Sequence, residues 1–114
     1  MKEFSKGHER LEEILRYIHG NYSVNLTNKT IGERFGFHPN YISSIIKNYT
    51  GMSLHKYLLY VRISRAAELL NGTSLSVGEI ADRCGFCDIF YFSRYFKHYM
   101  KSSPLEYRNK NNGI

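Results

Sequence analysis

Two stretches of the chain, Tyr41 to Gly51 (YISSIIKNYTG) and Tyr91 to Lys101 (YFSRYFKHYMK), mix aromatic and aliphatic residues with serine, asparagine, arginine and lysine at helical spacing. Wound into helices, each turns one apolar side inward: Ile42, Ile45 and Ile46 in the first, Phe92 and Phe96 in the second. Asn40, Ser43, Ser44 and Lys47 are left outward on one helix, and Ile89, Phe90, Ser93, Arg94 and Lys97 on the other. Such side chains recognise edges and do not break bonds. Arg94 can hold a guanine bidentately and Asn40 an adenine, each at about 1–3 kcal/mol of discrimination. The candidate base-contacting set is Asn40, Ser43, Ser44, Ile89, Phe90, Ser93 and Arg94, although the serines suit backbone and water as well. Lys47, Lys97 and Lys101 suit phosphates, where they add affinity and salt dependence without sequence preference. Ile89 and Phe90 stand at a helix front that ought to be wet. They either press on thymine methyl groups or bury part of their surface against the preceding helix.

Other chemistry finds less support. Cys84-Gly85-Phe86-Cys87 is formally a CxxC, the spacing of a redox or metal switch. There is no second CxxC and no βαβ pattern around it, and Cys84 falls at an apolar helix position where a core thiol is common. His8, His19, His38, His55 and His98 show no paired metal-ligand spacing. No Ser/His/Asp set, phosphate-cradling glycine loop or carboxylate pair stands out, so neither an enzyme nor a cofactor is expected.

The elements that must position these residues come as a repeat. Ile31 to Phe37 (IGERFGF) returns forty-nine residues later as Ile80 to Phe86 (IADRCGF), and each copy runs into one of the two aromatic and basic stretches, the second with one extra residue before its tyrosine. Each copy reads as short helix, glycine turn, second helix. Strand-like alternation is hard to find, and an all-α fold of seven helices follows. Helix 1 is expected from about His8 to His19, with Leu11, Ile14, Leu15 and Ile18 as its apolar stripe and Glu9, Arg10, Glu13 and Arg16 opposite. Helix 2 starts after Thr27 as N-cap and stops at Gly36; helix 3 starts at Pro39 and ends near Thr50 before Gly51. Helix 4 runs from Ser53 as N-cap to about Asn71, with Gly72 as its stop. It is roughly 28 Å long and apolar on more than one face, a spacer clasped from two sides. Ser76 and Glu79 form a capping box ahead of helix 5; helix 6 runs from Asp88 to about Met100; Ser103-Pro104-Leu105-Glu106 opens helix 7. The tail from Asn109 is expected to fray. The division is a first helix-turn-helix subdomain over 1–52, a linker helix over 53–72 and a second subdomain over 73–114.

Charge points the same way. The net charge is +6 over 114 residues. Residues 1–26 carry four basic and four acidic side chains, so the excess of twelve basic over six acidic lies on the duplicated part, as a polyanion binder requires. Hydrophobic residues make up 42% and aromatics 15%, enough for an interior, yet no apolar run is long enough to span a bilayer and the start MKEFSKGHER lacks a signal-peptide core. A cytoplasmic location is expected, and the two cysteines suit a reducing compartment.

The stretch from about Leu11 to Arg108 resembles the DNA-binding domain of the AraC/XylS family of transcription regulators. The most specific part is Leu75 to Arg108, whose SVGEIADRCGFCDIFYFSRYFKHYMKSSPLEYR is similar to the family signature over nearly its whole length, and RAAELL (Arg65 to Leu70) resembles the linker-helix motif. The resemblance implies two helix-turn-helix subdomains on a linker helix, with helices 3 and 6 in successive major grooves of double-stranded DNA and RNA polymerase as a protein partner. It also implies an N-terminal effector-binding or dimerisation domain outside this chain. Two such readers must stand about 34 Å apart, one turn of DNA, and helix 4 is a little shorter, so either the duplex bends or only one reader docks fully. The chain departs from the family pattern at Lys101, where glycine is usual; at Ile89 and Phe90, where polar residues are commoner; and at Asn28, where leucine is common.

The competing reading is a helical protein-interaction module that uses exposed tyrosine, isoleucine and phenylalanine. Most of the ten tyrosines fall at helical spacing and suit core edges. Salt separates the two, because only a DNA binder loses affinity steeply as salt rises.

Overall fold

The computed structural model describes residues 2–111, with side chains over 10–110, and every regular element among them is helical. The order is α1 (Lys2–Gly20), α2 (Asn28–Phe35), α3 (Pro39–Thr50), α4 (Leu54–Gly72), α5 (Val77–Arg83), α6 (Ile89–Met100) and α7 (Pro104–Asn111). They form two compact units whose boundary falls between Leu59 and Tyr60, within α4.

The first unit closes around Ile14 and Ile18 of α1, Leu26, Ile31 of α2, Ile42 and Ile46 of α3, and Leu54 and Leu58 of α4. The aliphatic spacing of α1 and α3 thus selects the buried sides that the sequence implies. α1 begins at Lys2, six residues before the expected start, since no residue of Lys2 to Gly7 breaks a helix outright. Arg10 does not stay on the solvent side of α1. Its Nη2 donates to the Phe35 carbonyl at 2.6 Å, and its guanidinium lies 5.4 Å and 5.3 Å from the ring centres of Phe35 and Phe37. That carbonyl belongs to the last turn of α2, where no intrahelical donor remains. Arg34 of α2 returns the contact, 4.6 Å above the Tyr17 ring.

Thr27 caps α2 as expected, and Thr30 completes the capping box by accepting from the Thr27 N–H at 3.0 Å. One residue along, the Asn28 Oδ1 is buried without a hydrogen-bond partner. An unmet acceptor of this kind costs about 1–3 kcal/mol.

In the second unit Val61, Ile63, Ala66, Ala67 and Leu70 of α4 are buried, as are Ile80 and Ala81 of α5, Cys84, Phe86, and Phe92 and Phe96 of α6. Rings do much of the packing: Phe86 to Phe92 at 5.0 Å, Phe92 to Phe96 at 5.7 Å, and Phe96 edge-on to Tyr107 of α7 at 5.3 Å. Gly72 proves to be the last residue of α4 and not its stop. Thr73 closes the helix by donating both its N–H (3.0 Å) and its hydroxyl (2.6 Å) to the Leu69 carbonyl. Arg108 then donates to the Leu70 and Thr73 carbonyls at 3.1 Å and 3.2 Å, so each unit uses an arginine from another helix to satisfy a helix C-terminus. The α7 capping box is reciprocal: Glu106 N–H to Ser103 Oγ at 3.2 Å and Ser103 N–H to Glu106 Oε1 at 2.9 Å. The bonds that the Glu106 carboxylate accepts from the backbone and side chain of Ser103 hold it below its ordinary pKa. Before α5 the box is incomplete, because Glu79 accepts from the Ser76 hydroxyl and not from its backbone. Asn109 to Asn111, placed in a fraying tail by the sequence, continue α7, and the rest of the tail lies outside the described residues.

The tightest backbone approach lies between α2 and the turn that follows it. Gly32 is buried, and a methyl group built on it would run into the Phe37 carbonyl oxygen. Alanine at a helix interior ordinarily gains up to about 1 kcal/mol over glycine. Here the obstacle is backbone that cannot rotate aside, and overpacking of this type costs about 1–3 kcal/mol. Gly32→Ala should therefore lower the unfolding free energy of the chain by that amount in urea titration; an increase would show that the turn yields.

Candidate nucleic-acid interface

Both repeats build the same joint from different residues. In the first, the Gly32 carbonyl accepts from the N–H groups of Gly36 (2.8 Å) and Phe37 (2.9 Å). Gly36 sits at φ +79°, the left-handed region that favours glycine. In the second, the Ala81 carbonyl accepts from Phe86 at 2.9 Å, and Gly85 takes the left-handed position at φ +92°. α5 ends at Arg83 while α2 ends at Phe35, so five residues lead into α6 against three into α3. Within α3 and α6 the register is then shared: Asn40 matches Phe90, Tyr41 matches Tyr91, Ser44 matches Arg94, Lys47 matches Lys97 and Gly51 matches Lys101.

The helix starts differ in charge. The His38 Nδ1 accepts from the Asn40 N–H at 3.0 Å and caps α3, a role with no direct sign in the residue pattern. The Asp88 carboxylate accepts from the Phe90 N–H at 2.8 Å and caps α6. A phosphate would find the positive end of α3 capped by an imidazole nitrogen, but that of α6 already capped by an acidic side chain.

On α3, Ile42 and Ile46 are fully buried and Ile45 is half-buried, while Asn40, Ser43, Ser44 and Lys47 are exposed. On α6, Phe92 and Phe96 are fully buried, while Ile89, Phe90, Arg94 and Lys97 are exposed. Ser93 is only half-exposed, so its outward place is partial: a short side chain between Phe92 and its neighbours reaches less far than Arg94. Phe90 keeps 77% of its surface open and Ile89 keeps 40%. The two readings drawn from the sequence thus divide between the two residues. Ile89 leans on α5, its Cδ1 being 3.7 Å from where a Gly78 Cβ would stand, and Phe90 projects into solvent.

Beside this face, Tyr91, Arg94, Tyr95 and His98 line a surface groove of about 380 Å³. The Tyr91 and Tyr95 rings meet tilted, with centres 4.6 Å apart, and a side-chain hydrogen bond with Tyr95 raises the Tyr91 pKa. Tyr91 therefore remains a neutral donor at physiological pH. Arg62 of α4 lies near Cys84, Cys87 and Tyr91, and burial lowers its pKa. Cys84 is fully buried, which pushes its thiol up to about 11, whereas Cys87 is exposed; both thiols are free. Among the described residues no three His, Cys, Asp or Glu side chains gather as a metal site, and no helix is long and apolar enough to cross a membrane.

Comparison with known proteins decides the family. A protein-family model described as a helix-turn-helix domain matches residues 31–110. A solved transcriptional regulator of the AraC-type DNA-binding-domain class from Chromobacterium violaceum superposes with a TM-score of 0.87 at 27% identity, over 96% of this chain and 97% of that one. The chain belongs to the AraC-type helix-turn-helix family. Among curated AraC-type relatives, the uncharacterized HTH-type transcriptional regulator YijO of Escherichia coli is 35% identical over 106 residues, 93% of this chain and 38% of that protein. The DNA-binding domain of AdpA, a global transcriptional factor solved in complex with a target DNA, gives a TM-score of 0.81 at 25% identity, over 88% of this chain and 90% of that one. The chain thus spans about a third of the length of curated relatives that it matches, 38%, 36% and 33% of three of them.

Lys101 is the one described residue other than glycine with positive φ, at +67°. It holds the end of α6 by donating its N–H to the Lys97 carbonyl at 2.9 Å, as Gly51 does to Lys47 at 2.8 Å for α3. A side chain in this conformation costs about 1 kcal/mol. Lys101→Gly should raise the unfolding free energy by about that amount in urea; no gain would mean that the lysine side chain makes compensating contacts.

Proposed function

We propose that the chain binds double-stranded DNA sequence-specifically, with α3 and α6 as recognition helices in successive major grooves, and acts in transcription regulation. One observation carries this reading. Each of the two recognition helices fully buries a pair of apolar side chains, Ile42 with Ile46 and Phe92 with Phe96, and presents, from its capped N-terminal turn onward, a row of exposed side chains with edge-reading and phosphate-holding chemistry. The excess positive charge of the duplicated region supports it, as does the likeness to the AdpA domain that was solved with its target DNA.

Asn40, Ser43, Ser44, Ile89, Phe90, Ser93 and Arg94 are the proposed base-contacting residues, and Lys47, Lys97 and Lys101 the phosphate-contacting ones. Subdomains over 1–52 and 73–114 are the two readers and 53–72 the linker helix between them. In keeping with regulation and not catalysis, the side chains make a surface that holds a duplex and changes no bond in it. A cytoplasmic site of action, contact with RNA polymerase and cooperation with an effector-binding or dimerisation domain complete the proposal. The last rests on the length of the relatives, of which this chain matches about a third.

Selection of bound duplexes from a random library tests the reading, since helices docked in successive major grooves recover two half-sites about 34 Å apart. Recovery of no preferred sequence would refute it. Lys47→Ala should weaken binding to the recovered duplex and to unrelated DNA alike and flatten the slope of log affinity against log salt by about one unit. An unaltered slope would remove Lys47 from the phosphate contacts. Arg94→Ala should cost about 1–3 kcal/mol on the recovered duplex and relax the preference at one base pair, to be read by repeating the selection with the variant.

A further inference from the structure

We infer that the second recognition helix reads 5-methyl groups on pyrimidines, thymine above all, through Phe90, so that the two halves of the site are recognised by different chemistry. The inference rests on the DNA-binding reading above and adds to it the identity of the group recognised. Phe90 occupies the second position of α6, the place that Asn40 holds in α3, and both are exposed. In the first repeat that place carries an amide suited to an adenine edge; in the second it carries a ring with nothing to donate or accept. The only feature of the major groove that a ring of this kind can recognise by contact is the methyl group at C5.

Three observations direct the ring toward bases and not toward a protein partner. Asp88 accepts from the Phe90 N–H at 2.8 Å, which fixes the backbone of the tip and puts a carboxylate where a phosphate would otherwise settle. The start of α6 is thereby kept from acting as a phosphate anchor. Arg94 and Lys97 follow Phe90 along the same exposed face, one and two helical turns on, so the apolar tip leads a cationic row. An apolar protein patch has charge depleted at its centre; here charge continues the line. Ile89 buries part of its surface toward Gly78, leaving Phe90, at 77% exposure, as the projecting group.

The test uses the 114-residue chain and a duplex recovered by selection, with each thymine replaced in turn by deoxyuridine, which lacks only the methyl group. At one or two positions the replacement should weaken binding about fourfold, the worth of one buried carbon. Phe90→Ala should bind the thymine and deoxyuridine duplexes equally, while Asn40→Ala should keep the difference. The Phe90 ring is exposed, so the variant should retain the helical circular dichroism of the parent. Placing 5-methylcytosine at a position where a thymine is read should restore binding lost with unmethylated cytosine. If a duplex is recovered but deoxyuridine is tolerated at every position, or its penalty persists in Phe90→Ala, the inference fails while DNA binding stands. If no duplex is recovered, both fail, and the exposed ring belongs to a protein contact.

Discussion

The angle at which a recognition helix leaves its partner is set by a single carbonyl. In the first repeat the Gly32 oxygen accepts two backbone donors from the turn, and the chain folds back so closely that Gly32 has no room for a side chain. In the second repeat the Ala81 carbonyl holds Phe86 while the Gly85 N–H donates to the Asp82 carbonyl, with a longer approach to α6 and with room for the methyl group that alanine carries. Everything presented on α3 and α6 inherits its direction from these two joints. The buried pairs Ile42 with Ile46 and Phe92 with Phe96 then fix the rotation of each helix about its axis, since burial of one side decides which residues remain outside. Direction and rotation together determine the exposed face, and neither depends on the side chains that would do the recognising.

Against that common frame the two repeats differ where chemistry is expressed. The first has a histidine cap, an asparagine tip, two serines and a glycine at the C-terminal end. The second has an aspartate cap, a phenylalanine tip, an arginine and a lysine forced into a left-handed conformation. A duplicated scaffold thus carries two unlike surfaces, and a site read by both is expected to be asymmetric. The lysine shows that the second repeat tolerates a conformational cost of about 1 kcal/mol at the end of α6, where Gly51 avoids it in α3.

Much of this was legible in the sequence because the signals were local. Pro39, Gly36, Gly51, Ser103 and Glu106 act within one turn of where they stand, and their helices start or stop as their chemistry dictates. The inward residues of α3 and α6 followed from periodicity alone. What stayed hidden was tertiary or backbone in origin. Arg10 reads as one more charge on a polar face until the Phe35 carbonyl comes within its reach. Gly32 looks like a weak point in a helix until the path of Phe37 is known. Gly72 resembles a stop, yet Thr73 satisfies the Leu69 carbonyl one residue later, and no spacing rule distinguishes the two. The exposed face of α6 was anticipated, but not the division of labour between Ile89 and Phe90, which depends on how near Gly78 lies.

The unequal setting of the two cysteines has a practical side. Cys84, sealed in the interior with its thiol pushed up to about 11, is almost wholly unionised at neutral pH and closed to bulky reagents, whereas Cys87 lies open one residue before the aspartate that caps α6. With two cysteines in the whole sequence, maleimide chemistry on the folded protein becomes selective without any engineering. A fluorophore placed there would sit directly before the cap of α6 and, if DNA binds there as proposed, report it by a change in emission.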